Sequence, residues 1–297
     1  MHVKNSFLKT KIVIFGCGYI GARLAASCQL LGWEVTALTR NVETAQTLHA
    51  KGIKTIVADL NNEDWHRKIT PDQNYVVDCV GAAAPTLEGY EASYRMGMQS
   101  ILQWLEGGDE KVDAFLFTSS TSVYPQTDGS LVTEESGNNG VSPRGEILLD
   151  AERLCLHGNR ERISKNFVLR FAGLYGPGRH LLLNKVREGQ QINGVSHRIL
   201  NLLRQEDAVS SILSCLQSEN IPSGTIFNVS DGRHASRGEI VDWLARELQV
   251  EHPGFDQKDV PGLPNRKIDN SKIMESLSWA PRFPGFESGY QDLLATS

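Results

Sequence analysis

Lys11-Ile12-Val13-Ile14-Phe15-Gly16-Cys17-Gly18-Tyr19-Ile20-Gly21 is the stretch that decides how this chain folds. Its first five residues form a short, apolar, largely β-branched run bounded by glycine, as in a strand buried on both faces of a parallel sheet. From Tyr19 to Leu31 apolar residues fall at helical spacing, Ile20, Leu24 and Leu31 among them, and Gly32 closes the helix. Between strand and helix lies Gly-x-Gly-x-x-Gly. Alone the pattern is weak; in this position it acquires a physical meaning. Gly16 permits a tight turn, Gly18 lets the backbone approach a pyrophosphate, and Gly21 lets helix pack closely on strand. Tyr19 and Ile20 open a helix whose unsatisfied N–H groups and dipole favour an anion. The motif predicts a dinucleotide cradle of Gly16, Gly18, Tyr19, Ile20 and Gly21, against the plainer alternative of a glycine turn with no ligand.

Beyond this unit the rhythm repeats. Strands are expected at Glu34–Leu38, Ile53–Val57, Asn74–Val80, Ala114–Thr118 and Phe167–Phe171, and helices at Val42–Lys51, Leu87–Leu105 and Glu146–His157. Alternating strands and helices with right-handed crossovers predict an α/β fold, a doubly wound Rossmann-type parallel sheet. Past Phe171 Gly, Pro and Arg become frequent (LYGPGRH, INGVSHR, VPGLPNRK), which predicts a smaller, discontinuous C-terminal substrate domain. The expected division is 8–172, with a segment of about 199–232 returning through the strand Ile226–Ser230, for the dinucleotide-binding domain. Residues 173–198 and 233–297 form the smaller domain.

The end of the second strand selects the dinucleotide. NAD sites usually carry an acid there for the ribose 2′-hydroxyl. This chain has Thr39-Arg40-Asn41, and a guanidinium suits a 2′-phosphate, so NADP is expected, with NAD as the alternative should Arg40 be only a solvated surface residue. Asp59, at the end of the third strand, either reaches the adenine edge or caps the following turn.

Composition narrows the classes. A net charge of −5 over 297 residues argues against a nucleic-acid partner, since phosphate binding needs a basic face. No apolar run reaches the ~18 residues of a membrane span, and Met1–Thr10 lacks the apolar region of a signal peptide and reads as a short tail. Five cysteines (Cys17, Cys28, Cys79, Cys155 and Cys215), odd in number and without CxxC spacing, read as free thiols in a reducing compartment rather than as disulfides or metal ligands. A cytoplasmic protein is expected, with a small-molecule substrate, no metal, and neither nucleic acid nor membrane as partner.

Four further segments carry a resemblance. Phe117-Thr118-Ser119-Ser120-Thr121-Ser122-Val123-Tyr124 resembles the SSxxVYG stretch of the extended short-chain dehydrogenases, the NAD-dependent epimerase/dehydratase family. Leu169 to Arg179 (LRFAGLYGPGR) is similar to that family's LRxxxxYGPGR, Asn201 to Asp207 sits where it has NxxHxxD, and Phe227-Asn228-Val229 is similar to its YNV strand. The resemblance implies a Ser, a Tyr and a Lys four residues after it, with the Tyr moving a proton while the nicotinamide moves a hydride. Ser120 matches the Ser, unless it only caps the strand end. Aligned through Glu152, the helix places Arg144 at the Tyr position and Leu148 at the Lys position. A guanidinium does not give up its proton near neutral pH, so the chain reads as an atypical member without the usual relay.

Other groups are candidates for the missing roles. His180, in the loop after Gly178-Arg179, is a proton carrier by its ordinary pKa or an idle loop histidine. Arg144, Arg179 and Arg204, with Arg266, either bind an anionic substrate such as a nucleotide sugar or lie on a solvated face. The expected function is an NAD(P)-binding oxidoreductase or epimerase-like enzyme; the alternative is a regulatory or sensor protein that binds NADP(H) without turnover. The family's usual pairing through two helices implies a homodimer.

Overall fold

The computed structural model describes residues 9–295; most of the expected N-terminal tail, Met1 to Leu8, lies outside the described residues. Seven strands form one parallel sheet. They are β1 (Lys11–Phe15), β2 (Glu34–Thr39), β3 (Lys54–Val57), β4 (Tyr75–Asp78), β5 (Val112–Ser120), β6 (Ile163–Phe171) and β7 (Thr225–Val229), in the spatial order β7-β6-β5-β4-β1-β2-β3. The chain runs outward from β1 to β3, then returns to lay β4 on the other side of β1, with Phe15 opposite both Leu38 and Asp78. In open α/β sheets that reversal opens a crevice at the carboxyl ends of the strands. The doubly wound Rossmann-type expectation therefore holds.

The chain divides into two compact units. The first takes the described residues up to Thr118, with Ile147–Val168 and Pro222–Thr225; the second takes Ser119–Glu146, Leu169–Ile221 and the described residues from Ile226 onward. The divisions at 118 and 168 fall inside β5 and β6, and the segment 119–146 belongs to the second unit. A strand that continues across a division carries no Gly/Pro-rich linker to mark it.

In the first unit Phe15 packs edge-on against Trp65 and Trp104, at centroid distances of 5.0 and 5.5 Å. Both indoles are buried, and each N–H finds a carbonyl, Trp65 donating to Leu60 O and Trp104 to Ile69 O. The expected helix Leu87–Leu105 forms with one difference. A π turn at Glu91–Met96 separates α-helical Leu87–Tyr90 from Gly97–Glu106. A π turn widens the spiral by less than one residue, which is too small a slip to show in apolar spacing.

The second unit has its own core, where Tyr175, Leu183, Ile240, Leu244, Phe286 and Tyr290 pack together. Helix Arg237–Leu248 begins with a capping box between Ser236 and Glu239. Gly289 abuts Tyr175 so tightly that an added Cβ would stand 1.8 Å from its phenol oxygen.

Candidate functional site

The glycine turn of the first unit is built by the sheet. Gly16 leaves β1 with φ of +76°, and a Cβ there would meet Val80 N and Cα at 2.5 Å. A side chain is thus excluded by backbone as well as by φ. Gly16 and Cys17 donate their N–H groups to Leu38 O, tying the turn to β2. A Cβ on Gly21 would meet Gly16 O at 2.5 Å, so the third glycine brings the helix Tyr19–Leu30 against the strand. Gly18 differs: nothing in the protein lies within 4 Å of where its Cβ would stand. Packing explains Gly16 and Gly21, and open space explains Gly18. The helix behind it carries no acidic residue in its first turn and no side-chain cap. Open space, a bare helix N-terminus and no negative charge fit a dinucleotide pyrophosphate. Cys17, inside the turn, donates to Ile14 O, and burial pushes its thiol up to about 12, which leaves it unreactive.

At the edge of the same unit Asp59 does more than one thing. Its Oδ1 accepts from Asn61 N at 2.9 Å, so it caps the turn, and its Oδ2 lies 3.5 Å from Arg40 Nη1. Both side chains are about half exposed, at 50% and 45%. Asn41 caps the helix Val42–Ala50 by accepting from Thr44 N, which leaves Arg40 between a strand end and a helix start.

Asp78 belongs to none of the sequence motifs. It ends β4, is 0% exposed, and accepts from Val80 N through Oδ1; Oδ2 has no partner among the described residues. Burial pushes its carboxyl up to about 7. The signal was an acid inside an apolar run, Val76-Val77-Asp78-Cys79-Val80. The following loop, Gly81 to Pro85, is held by the π turn: Ala82 N donates to Tyr94 Oη at 3.1 Å and Ala83 N to Ser93 Oγ at 2.8 Å. Adjacent residues of a helix serve adjacent amides here, and Tyr94 was not anticipated from spacing.

In the second unit Ser120 closes β5 and its Oγ accepts from Ser122 N at 3.1 Å, capping the short turn Thr121–Val123. Tyr124 is buried, its phenol accepting from Arg170 Nη1 at 2.8 Å and donating to Asn228 Oδ1 at 2.7 Å. Burial raises that phenol above its ordinary value against the pull of Arg170, so Tyr124 is a structural group. Arg266, 5% exposed, donates to Thr121 O and Gln126 O and pins the turn that follows Ser120. Burial lowers it to about 10.

His180 directs Nδ1 at Gly176 O, 3.1 Å away, which leaves Nε2 as the acceptor nitrogen when the ring is neutral. Arg179 is exposed and donates through Nε to Leu174 O. Arg144 is exposed in the first turn of helix Pro143–His157, whereas Leu148 is 2% exposed. Arg204 corrects an expectation. It is 1% exposed, not on a ligand-facing surface, and its guanidinium is consumed by Glu206 at 2.9 Å, Gly289 O at 2.6 Å and Asp292 at 2.6 Å. The ring of Phe283 covers it at 4.7 Å. It is a structural cation that ties Gln205–Leu216 to the helix Phe286–Ala295. Among the described residues no helix is long and apolar enough to cross a membrane, and no group of three acids, histidines or cysteines is placed to hold a metal.

The model of the NAD dependent epimerase/dehydratase family matches residues 12–230. Protein YeeZ of Escherichia coli K12 is 28% identical over 280 residues, which cover 92% of this chain and 96% of that protein. A candidate NAD-dependent epimerase/dehydratase from Methylobacillus flagellatus superposes with a TM-score of 0.75 at 25% identity, over 97% of this chain and 99% of that one. UDP-glucuronic acid 4-epimerase from Bacillus cereus, solved with UDP-glucuronic acid and NAD, superposes with a TM-score of 0.81 at 22% identity, over 97% of this chain and all of the other.

Proposed function

The chain belongs to the NAD-dependent epimerase/dehydratase family, and we propose that it is an NADP(H)-dependent enzyme of oxidoreductase or epimerase type that works without the usual Tyr-Lys relay. The observation that carries the reading is Gly18. Its neighbours Gly16 and Gly21 are demanded by protein packing, while Gly18 opens onto space at a bare helix N-terminus. Gly16 to Gly21 would hold the pyrophosphate, and Arg40 the 2′-phosphate. When bound, the dinucleotide supplies a hydride acceptor or donor. A nucleotide sugar is the substrate class the family suggests.

The proton is the distinctive part. Leu148 has neither charge nor donor and is sealed in the interior, so no ammonium assists a phenol from that position. Ser120 retains its own hydroxyl hydrogen for a substrate oxygen, and His180 presents Nε2 as a base. The same buried leucine favours a second reading, a protein that binds NADP(H) as a sensor without turnover. Calorimetric titration with NADP⁺, NADPH and NADH, followed by a turnover assay on nucleotide sugars and simple carbonyls, separates the two. No binding of any dinucleotide would overturn both.

A further inference from the structure

We propose that Tyr94, on the π turn, is the phenol that moves the proton in this chain; the inference rests on the dinucleotide reading above. Several observations within the first unit meet at this side chain. Val80, the residue against which Gly16 packs, is followed by Gly81-Ala82-Ala83-Ala84, four small residues at the carboxyl end of β4. The loops after β1 and β4 therefore lie side by side at the edge of the sheet where ligands of such folds bind. Gly81 repeats the sign seen at Gly18: nothing in the protein lies within 4 Å of where its Cβ would stand. Beside that open space stands the Tyr94 hydroxyl, which accepts from Ala82 N at 3.1 Å. Its own hydrogen has no acceptor among the described residues.

The polarity of that hydrogen bond is the chemical point. A backbone N–H given to a phenol oxygen stabilises the phenolate and leaves the O–H directed away from the protein. Tyr94 is only half-buried, whereas Tyr124, Tyr175 and Tyr290 are sealed in the second unit. The π turn also explains how it is presented. Ser93 and Tyr94 are consecutive, yet both reach the same loop, and π turns occur often at functional positions. Burial pushes the phenol up to about 12 in the protein alone. An oxidised nicotinamide bound nearby, being cationic, would pull in the other direction. With the bound dinucleotide supplying the hydride to a substrate carbonyl carbon, Tyr94 would give its proton to the substrate oxygen, and water would reprotonate the phenolate. Oxidation runs the same exchange backwards.

The test is a pH titration of tyrosine Cζ resonances by NMR on the full chain, alone, with NADP⁺ and with NADPH. The Tyr94 resonance is the one absent from Tyr94→Phe, a variant that keeps the ring contacts with Tyr90 and Phe117. Should that variant not fold, contacts of the resonance to the Phe117 ring identify it instead. Saturating NADP⁺ is expected to lower the Tyr94 midpoint by about 1–3 pH units, as an opposite charge within a few ångströms does, and NADPH to leave it in place. In carbonyl reduction Tyr94→Phe should lose about 10²–10⁴-fold in turnover, with NADPH affinity retained. Binding of NADP⁺ without movement of the Tyr94 midpoint overturns this assignment and leaves the dinucleotide reading standing. Failure of either dinucleotide to bind overturns both.

Discussion

Arg40 Nη1 stands 3.5 Å from Asp59 Oδ2, an ion pair joining the ends of the adjacent strands β2 and β3. The residue expected to read the 2′-phosphate therefore already has an anion beside it. Exposed pairs of this kind contribute about 0.2–1 kcal/mol, less than the roughly 1.5–3 kcal/mol of a charged hydrogen bond to phosphate. The pair should open when the phosphate arrives.

If Arg40 receives the 2′-phosphate as proposed, NADPH should bind roughly tenfold or more tightly than NADH, and Arg40→Ala should erase the preference. Asp59→Asn, by releasing the guanidinium, should tighten NADPH roughly two- to fivefold. Calorimetry on the three proteins decides it. Weaker NADPH binding in Asp59→Asn would assign the carboxylate to the nucleotide instead.

The glycines should separate by kind of damage. Gly16→Ala and Gly21→Ala force a Cβ into backbone atoms at 2.5 Å, so both should lose about 1–3 kcal/mol or more of stability. The Cβ of Gly18→Leu would meet no protein atom within 4 Å, so this variant should unfold close to the wild-type temperature while binding no dinucleotide. Thermal melts alongside titrations read both effects, and retained affinity in Gly18→Leu would remove the cradle.

Asp78 predicts an unusual pH dependence. Its carboxyl is held up at about 7 in the folded chain, from an ordinary 3.8. Between these values the folded state holds a proton that the unfolded state has released. Its contribution is therefore complete below about pH 4 and is lost as pH rises to about 7, at about 1.4 kcal/mol per unit. Asp231, also raised to about 7 by burial, adds a second such group. Urea unfolding at intervals across this range should show the contribution of Asp78 to stability falling with pH, and Asp78→Asn should make the pH dependence between about 4 and 7 less steeply falling. An unchanged slope in that variant would mean that Asp78 is ionised in the folded protein.

Turnover on standard nucleotide sugars should be slow, since no ammonium stands at position 148 to lower the pKa of a proton-moving phenol. Installing the missing ammonium by Leu148→Lys should not restore it: position 148 is 2% exposed, and an unpaired charge there should cost several kcal/mol of stability. If turnover is found, His180→Gln shows whether Nε2 takes part; an unchanged rate removes the histidine. Assays followed at the nicotinamide absorbance, with melts of the lysine variant, measure both.

Arg204→Met should destabilise the chain by about 3–5 kcal/mol, because Glu206 and Asp292 would lose their buried cation. Dinucleotide affinity should be unchanged. A substrate-affinity loss without a stability loss would return Arg204 to the ligand.

What could be read from sequence tracks how local each cause is. The strand–glycine–helix unit of Lys11 to Leu30 shows in local apolar spacing and glycine placement and forms as expected, although its turn is held by Leu38 and Val80 from outside that stretch. The Arg40–Asp59 pair spans nineteen positions and depends on strand register, so the two side chains were assigned separate tasks. The buried role of Arg204 does not show in the sequence, which offers it for an anionic substrate or a solvated face, because its partners Gly289 and Asp292 lie some 85 residues further on. Tyr94 sat unremarked in an apolar helix, since periodicity reports which face is buried and says nothing of a turn that widens by a fraction of a residue.

The two tight glycine contacts set different rules for how this sequence can drift. At Gly16 the obstacle is the backbone of Val80, and no replacement elsewhere removes a backbone atom. That position has no compensating partner and should stay fixed in every descendant that keeps the fold. At Gly289 the obstacle is the side chain of Tyr175, which can shrink. An alanine at 289 becomes accessible once position 175 has first lost its aromatic ring, so the order of the two changes matters and the reverse order is closed. Lineages of this chain should therefore carry 175 and 289 as a correlated pair, with the larger residue moving from one position to the other.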